Sequence, residues 1–528
     1  MVLSFNFAEV GQRLLSRADT WMTPLIIRHT ALADVKDGMA QLLREYLRLH
    51  LIGPRGSLTA GVPLVVNGSP MLVYVKLTHM LGDGDGFRLA FSWRGASSLK
   101  PCFRHRNVWK LGSGLAHRRD DQVEITCTDP SKFECRTAGE LEDLADLLVV
   151  ANAQCRDGLL TKRKLEEMQK AAGLNASPEG FMADHELRRY VQPTEIMVTG
   201  WVHSCLQDGL LNVEVHCFLK AAGVQSSRLE SYFKSDWHFP FVFRKKGRAL
   251  HHMFNSFRAR SNTAADKFKI SASDLLLCYG LVRHFVETRI EESPDLALNR
   301  AAFFAACEVV DTILMAKRGR KPLGEAAAEL RDAVSRCIAL HIAAYGEEDI
   351  KPKHHWVYDV ADWMERNKDK QLVLDEFIVE RLHLRFRDIA HRVDNPKNWE
   401  ASVLAAAFNV QKTSLQHGKL ACGLEGGAPL IGGATAVSKG LTDHAGQHVV
   451  IGDIVLLDGV RAGEVMACAL ECGTLFVVVR PFAFKAKVSS HSGAWLMTED
   501  RVKVWRASDV GLALAWYMHR GDTVVIRC

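Results

Sequence analysis

The stretch VYVKLTHMLGDGDGFRLAFSWRGASSLKPCFRHRNVW, Val73–Trp109, decides how the rest of the chain is read. Val73, Val75 and Leu77 alternate along it, and residues two apart share one face of a pleated chain, so 71–77 is predicted to be a buried strand. It runs into Gly82-Asp83-Gly84-Asp85-Gly86, where glycines that tolerate sharp backbone torsions separate two carboxylates. A polynucleotidyl-transfer site collects carboxylates from distant parts of a chain, because two divalent ions about 4 Å apart need oxygen ligands, and an Asp after a core strand is the usual first one. The same spacing suits an ordinary polar turn. A calcium loop of the EF-hand kind is the weaker alternative, since Phe87, Arg88 and Leu89 stand where further acids are needed. Further along, Cys102 and His105 have the C-x-x-H spacing of half a zinc site, whose other half is expected from Cys127 or Cys135. A buried cysteine beside a surface histidine is the plainer reading of that pair.

Upstream, Val35, Met39, Leu42, Leu43, Tyr46, Leu47 and Leu49 recur near helical spacing behind Asp34, and Val62 to Val66 reads as a strand. Downstream, Val123 to Thr128 reads as a strand and 138–174 as helix. Glu195 to Val202 is a short apolar run suited to a core strand, and Gly209 to Leu219 fits helix or strand equally. From Ser271 to Tyr345 the pattern is helical in three segments, broken at Ser293-Pro294 and at Arg318 to Pro322. Amphipathic helices follow to about Leu415, then a glycine-dense stretch from Gly423 to Gly440 that reads as a linker. Beyond it, β-branched and aromatic runs separated by Asp-Gly and Gly-Asp turns predict a small all-β, barrel-like module.

With 528 residues, 48% apolar and 24% charged, the chain has the means for several packed domains at about 150 residues each. Its 67 basic and 61 acidic residues nearly cancel to a net +6, so only local clustering can argue for nucleic acid. Thirteen scattered cysteines fit free thiols in a reducing compartment better than a disulfide framework. No secretory signal and no run of about 20 apolar residues is read, so the expected location is nuclear or cytoplasmic, without a membrane partner.

Three cationic clusters stand out. Lys100 to Arg119 includes Arg104, Arg106 and Lys110; Arg244 to Arg260 includes Lys245, Lys246 and Arg248 with phenylalanines between them; Lys317, Arg318, Arg320 and Lys321 form a patch of nuclear-localisation type. Cations with interleaved rings suit phosphate backbones and bases, although each cluster alone also suits a solvated loop. On a predicted helix ending near Asn395, Glu380 and His383 stand three apart and share a face. Lys351, Lys353, His354, His355 and Asp359 precede them, an unusual density of titratable groups.

Five segments, in order, resemble blocks of transposase-like proteins of protist genomes: LGDGDGFRLAFSWRGASSLKPCFRHRNVW, PEGFMADHELRRYVQP, WVHSCLQDGLLNVE, KPKHHWVYDVADWM and FIVERLHLRFRDIAHRVDNPKNWEASVLAAAFNVQ. Those proteins are similar, more remotely, to cut-and-paste DDE transposases of the CACTA type. The similarity spans roughly Ile26 to Leu420 and, more loosely, the C-terminal β module. The resemblance implies an RNase H-like mixed-sheet core with a large helical insertion, DNA as partner, and Mg2+ (or Mn2+) as cofactor of a nuclease and strand transferase; a second copy of the chain, in a homo-oligomer, is a further candidate partner. It makes Asp83 or Asp85 the first metal ligand and Glu380 the third, with His383 and the 351–355 block nearby. The second acid is expected just before the W-x-H element, yet Gly200 precedes Trp201 and His203; Asp208 and Glu214 lie further along, away from the matching position.

The expected organisation is therefore an α/β chain: an N-terminal helical segment (1–56), an RNase H-like core begun in 57–270, a helical insertion (271–350), the remainder of the core (351–420), a glycine-rich linker (421–445) and the β module (446–528). The expected function is a transposase-derived DNA-binding protein, ancestrally a Mg2+-dependent nuclease and strand transferase, degenerate if no acid replaces Gly200. The DNA-binding candidates are Arg104, Arg106, Lys110, Lys245, Lys246, Arg248, Lys351, Lys353, His354 and His383. A non-catalytic nucleic-acid or chromatin-binding protein and a Zn2+-stabilised scaffold built on Cys102 and His105 are the alternatives.

Overall fold

The strand that enters the acidic loop is not the alternating run itself. Ser69–Val73 pairs antiparallel with Val62–Val66 in a hairpin, turned by Asn67-Gly68 with positive φ at both residues, and Leu64, Val65, Met71 and Leu72 are exposed on it. The strand before Asp83 is the short Met80–Gly82, and its parallel neighbour is Met197–Thr199, inside the apolar run predicted as a core strand. Alternation separates two faces of a strand; it does not say whether either is buried.

The computed structural model describes residues 2–53, 57–114, 119–235, 237–239, 270–394, 397–416, 423–424, 428–429, 435–442, 448–457, 461–471, 474–487, 492–497, 502–514, 516–519 and 522–526. They form a mixed α/β chain in two units.

Unit 1 comprises Met1–Phe5, Thr23–Leu211 and Glu308–Ala407. Its core gathers Leu43 and Leu47 of the helix Gly38–Leu47, Phe87 and Phe91 around the helix Gly84–Ala90, Leu141 and Leu148 of Ala138–Arg156, and Phe181 and Trp356. The rings of Phe91, Phe103, Phe181, Trp93 and Trp356 meet edge-on or tilted, as aromatic quadrupoles favour. Ala138–Arg156 starts with a capping box, Thr137 and Glu140 exchanging bonds with each other's backbone N–H. The N-terminal segment expected to be helical holds the helices Gly11–Leu15, His29–Ala33 and Gly38–Leu47 but also the paired strands Val2–Phe5 and Met22–Ile26, and the helix carrying the 35–49 periodicity starts after Asp37 rather than Asp34. Val123–Glu124 is all that becomes strand of the run predicted at 123–128.

Unit 2 comprises Asn6–Met22, Asn212–Cys307 and Phe408–Cys528. Leu210–Ala221 is a helix, which resolves the ambiguous run. Of the three predicted helical segments, Ala272–Arg289 lies in this unit, Ala297–Lys317 crosses the unit boundary at Glu308, and Leu323–Tyr345 belongs to unit 1; all are bounded at the expected prolines. The C-terminal region is all β. Arg461–Glu471 and Thr474–Lys487 make a long hairpin at the centre of a ten-stranded sheet, burying Val465, Cys468, Val477 and Val479 on one side. The glycine-rich stretch read as a linker contributes short paired strands among its described residues, including Thr435–Ser438 and Gly440–Thr442. Among the described residues the ladders end at Ala428–Pro429 and Trp516–His519 without joining, so no closed barrel forms.

Candidate functional site

Gly82 lies opposite Thr199 in the parallel pair, so Asp83 and Gly200 leave the sheet side by side. Asp83 caps the helix Gly84–Ala90, its carboxylate accepting the Gly86 N–H at 2.5 Å. The glycine-spaced aspartates are thus a strand-to-helix junction. Asp85 points to solvent, its side chain 83% exposed, and takes a bond from Arg88 one turn on.

Gly200 has no room for a side chain. A Cβ there would stand 1.3 Å from Glu376 Oε1 and 1.6 Å from its carboxyl carbon. Glu376, 2% exposed, flanks the N-terminus of the helix Phe377–Ala390. Its carboxylate accepts the Val202 N–H at 3.3 Å and pairs with His203 Nδ1 at 3.1 Å. Glu380 follows one turn later and is partly buried. Burial lowers the His203 pKa, but Glu376 outweighs it and Asp83 adds to the rise. Burial raises Glu380, with His203 opposing and Glu376 assisting. Desolvation of the ring by nearby protein atoms lowers His383 against the pull of Asp83, although the residue as a whole is exposed. Asp83, His203, Glu376, Glu380 and His383 therefore share one electrostatic environment, although Asp83, Asp85 and Glu380 do not converge as a ligand group among the described residues.

A tighter cluster lies elsewhere in unit 1. Cys102, His105, His355 and Asp359 are all buried and bring one donor atom each within 4.8 Å of the others, an arrangement able to hold a metal ion. Cys102 Sγ lies 3.6 Å from His105 Nδ1 and from Asp359 Oδ1, and His105 Nδ1 lies 3.0 Å from His355 Nε2 and 3.3 Å from Asp359 Oδ1. His105 turns its other nitrogen to Asp362, at 3.2 Å, which Arg331 holds with bonds of 3.0 and 3.2 Å. Burial pushes the Cys102 thiol and the Asp359 carboxyl up and His355 well down, each toward its neutral form. The partners of Cys102 and His105 come from the helix Pro352–Arg366. Cys127 is not among them; its thiol contacts the Asp129 carbonyl. Cys135 forms a second group with His105 and Asp362.

The cationic candidates separate by exposure. Lys110 and His383 are exposed. Arg106 is exposed but bonded to Glu134 and Glu140. Contrary to a phosphate-binding role, Arg104 is buried near Asp362, and His354 is fully buried, accepting the Lys351 N–H at 3.1 Å, its pKa pushed down to about 3 by burial. Lys351 caps the helix Pro352–Arg366, and Lys353 donates to the Gln207 carbonyl. In the third patch Lys317 pairs with Asp375 and Lys321 with Glu329. Lys245, Lys246 and Arg248 lie outside the described residues.

Reading the sequence missed Glu376, which precedes Glu380 by one turn on the same helical face. It also missed His355 and Asp359 as partners of Cys102, although their spacing of four on a helix is a ligand-pair signal. Among the described residues no helix is long and apolar enough to cross a membrane. Comparison with family models, with curated proteins and with solved structures gave no match.

Proposed function

We propose that this chain is a transposase-derived DNA-binding protein with an RNase H-like core, retaining a Mg2+-dependent nuclease centre of the DDE type in which Glu376 replaces the acid absent at Gly200. One observation carries the reading. The two positions that the resemblance makes first and second acids, Asp83 and Gly200, follow adjacent parallel strands, and a carboxylate fills the space of a side chain at the second. Asp83, Glu376 and Glu380 would hold Mg2+ or Mn2+, since carboxylate oxygens suit those hard ions, whereas thiolate with imidazole suits Zn2+. The bound ion supplies charge stabilisation at the phosphate undergoing transfer. The chain's own contribution is positional: Asp83 is fixed by its cap bond, and Glu376 by Val202 and His203. The C-terminal β module is assigned an interaction role in this reading.

The test is a Mg2+- and Mn2+-dependent nicking assay on DNA with the full chain, Glu376→Gln and Glu380→Ala. Expected is nicking by the wild type that falls at least about a hundredfold in each variant, with salt-dependent DNA binding retained. Background-level nicking in all three proteins overturns it. The ion pair between His203 and Glu376 favours a second reading, DNA binding without cleavage. Salt-dependent binding together with identical background nicking selects that reading.

A further inference from the structure

We propose that Cys102, His105, His355 and Asp359 bind one Zn2+ ion in a closed tetrahedral site that fastens the 101–105 turn to the helix Pro352–Arg366. The inference does not depend on the nuclease reading, since none of its residues belongs to that centre.

Four of the six donor-to-donor distances fit the edges of a tetrahedron. Bonds of about 2.3 Å to sulfur and about 2.0–2.1 Å to nitrogen or oxygen put sulfur about 3.6 Å from each lighter donor, and the lighter donors about 3.3 Å apart. Sulfur lies 3.6 Å from His105 Nδ1 and 3.6 Å from Asp359 Oδ1, and His105 Nδ1 lies 3.3 Å from Asp359 Oδ1 and 3.0 Å from His355 Nε2. The two remaining edges are within 4.8 Å.

Hydrogen bonding alone does not account for the arrangement. His105 Nδ1 has one proton or one lone pair, yet it faces a thiol, an imidazole nitrogen and a carboxylate oxygen at once. A cation accepts all four donors together and offsets the cost of burying them. The surroundings are built as around metal-bound histidine: His105 Nε2 is oriented by Asp362, itself anchored by Arg331.

Four buried protein donors leave no open coordination position, which marks a structural ion. What it braces is legible nearby. Trp356, beside His355, donates its indole N–H to the Pro101 carbonyl at 3.0 Å, and its ring lies 3.7 Å from where a Cβ of Gly84 would be. The ion therefore fixes the helix whose tryptophan backs the Asp83-Gly84 turn.

The test is metal analysis of the purified full chain, followed by replacement of its metal with Co2+. Expected are about one zinc per chain and, with Co2+, thiolate-to-metal charge-transfer absorption with tetrahedral visible bands. Cys102→Ser and His355→Gln should each lower zinc affinity at least about tenfold, with the charge-transfer band lost in Cys102→Ser, while Cys127→Ser keeps both. Zinc-free wild type that gives no charge-transfer band with Co2+ overturns the proposal. So does zinc that survives in the Cys102→Ser/His355→Gln double variant, or that leaves with Cys135→Ser while staying in Cys102→Ser. If the variants do not fold, the wild-type Co2+ spectrum decides alone.

Discussion

The carboxyl group of Glu376 occupies the space that a side chain on Gly200 would need, with Oε1 1.3 Å from the position of a Cβ. The two residues are far apart in sequence and behave as one unit in space. Glycine at 200 is what admits the glutamate, and the glutamate brings a buried carboxylate to the end of the strand beside the one that leads to Asp83.

Gly200→Asp alone should be destabilising by about 3 kcal/mol or more, because it sets two carboxylates in one buried space. Combined with Glu376→Ala it should recover most of that loss, a coupling readable in a urea-unfolding double-mutant cycle. Strict additivity of the two changes would show that the side chains do not compete.

Asp83 and Asp85 should part company on mutation. Asp83→Asn should keep most of the helix cap, whereas Asp83→Ala should lose about 1 kcal/mol, and both should abolish Mg2+-dependent nicking. Asp85→Ala should change stability by less than about 0.5 kcal/mol and leave nicking intact, since its contact is an exposed pair with Arg88. Thermal unfolding beside the nicking assay checks all three.

Trp356→Ala should cost about 3–5 kcal/mol, the range for truncating a buried aromatic. It removes the bond to Pro101 and the ring contacts with Trp93. Equilibrium unfolding in urea measures the loss, and one below about 1 kcal/mol would contradict a core role for this ring.

Unit 2 should carry an acid-sensitive contact at His284. Burial lowers this ring to about 4, and the Tyr232 hydroxyl lies 2.6 Å from its Nδ1, a contact that a neutral ring accepts. The unfolded chain takes up a proton near pH 6.5 and the folded one only near 4, so stability is full above about 6.5 and declines as pH falls through that window. The loss is at most about 3 kcal/mol. His284→Gln should flatten this part of a pH-stability profile, and an unchanged slope would remove His284 as its source.

How far the sequence reached can be argued from these residues. Long periodic segments were legible: three helices between Ser271 and Tyr345, the helix carrying Glu380, and a C-terminal region of β-branched runs. Their patterns are local, so burying one face is enough to reveal them. Which short apolar run enters the core was not local, and Met80–Gly82 is too short to show a period at all. Cys102 and His105 were visible as half of a ligand set, while the choice of His355 and Asp359 over Cys127 needed the packing of Pro352–Arg366 on the 101–105 turn.

The sequence by itself determined the residue types: glycine-spaced aspartates after an apolar run, a C-x-x-H pair, a helix with Glu380, and glycine at position 200. Only the tertiary structure decided which groups meet. A parallel strand pair set Asp83 beside Gly200, and the start of a distant helix delivered Glu376 into the vacant space. Spacing along a chain fixes neighbours within one element, whereas contacts between elements depend on how their buried faces pack.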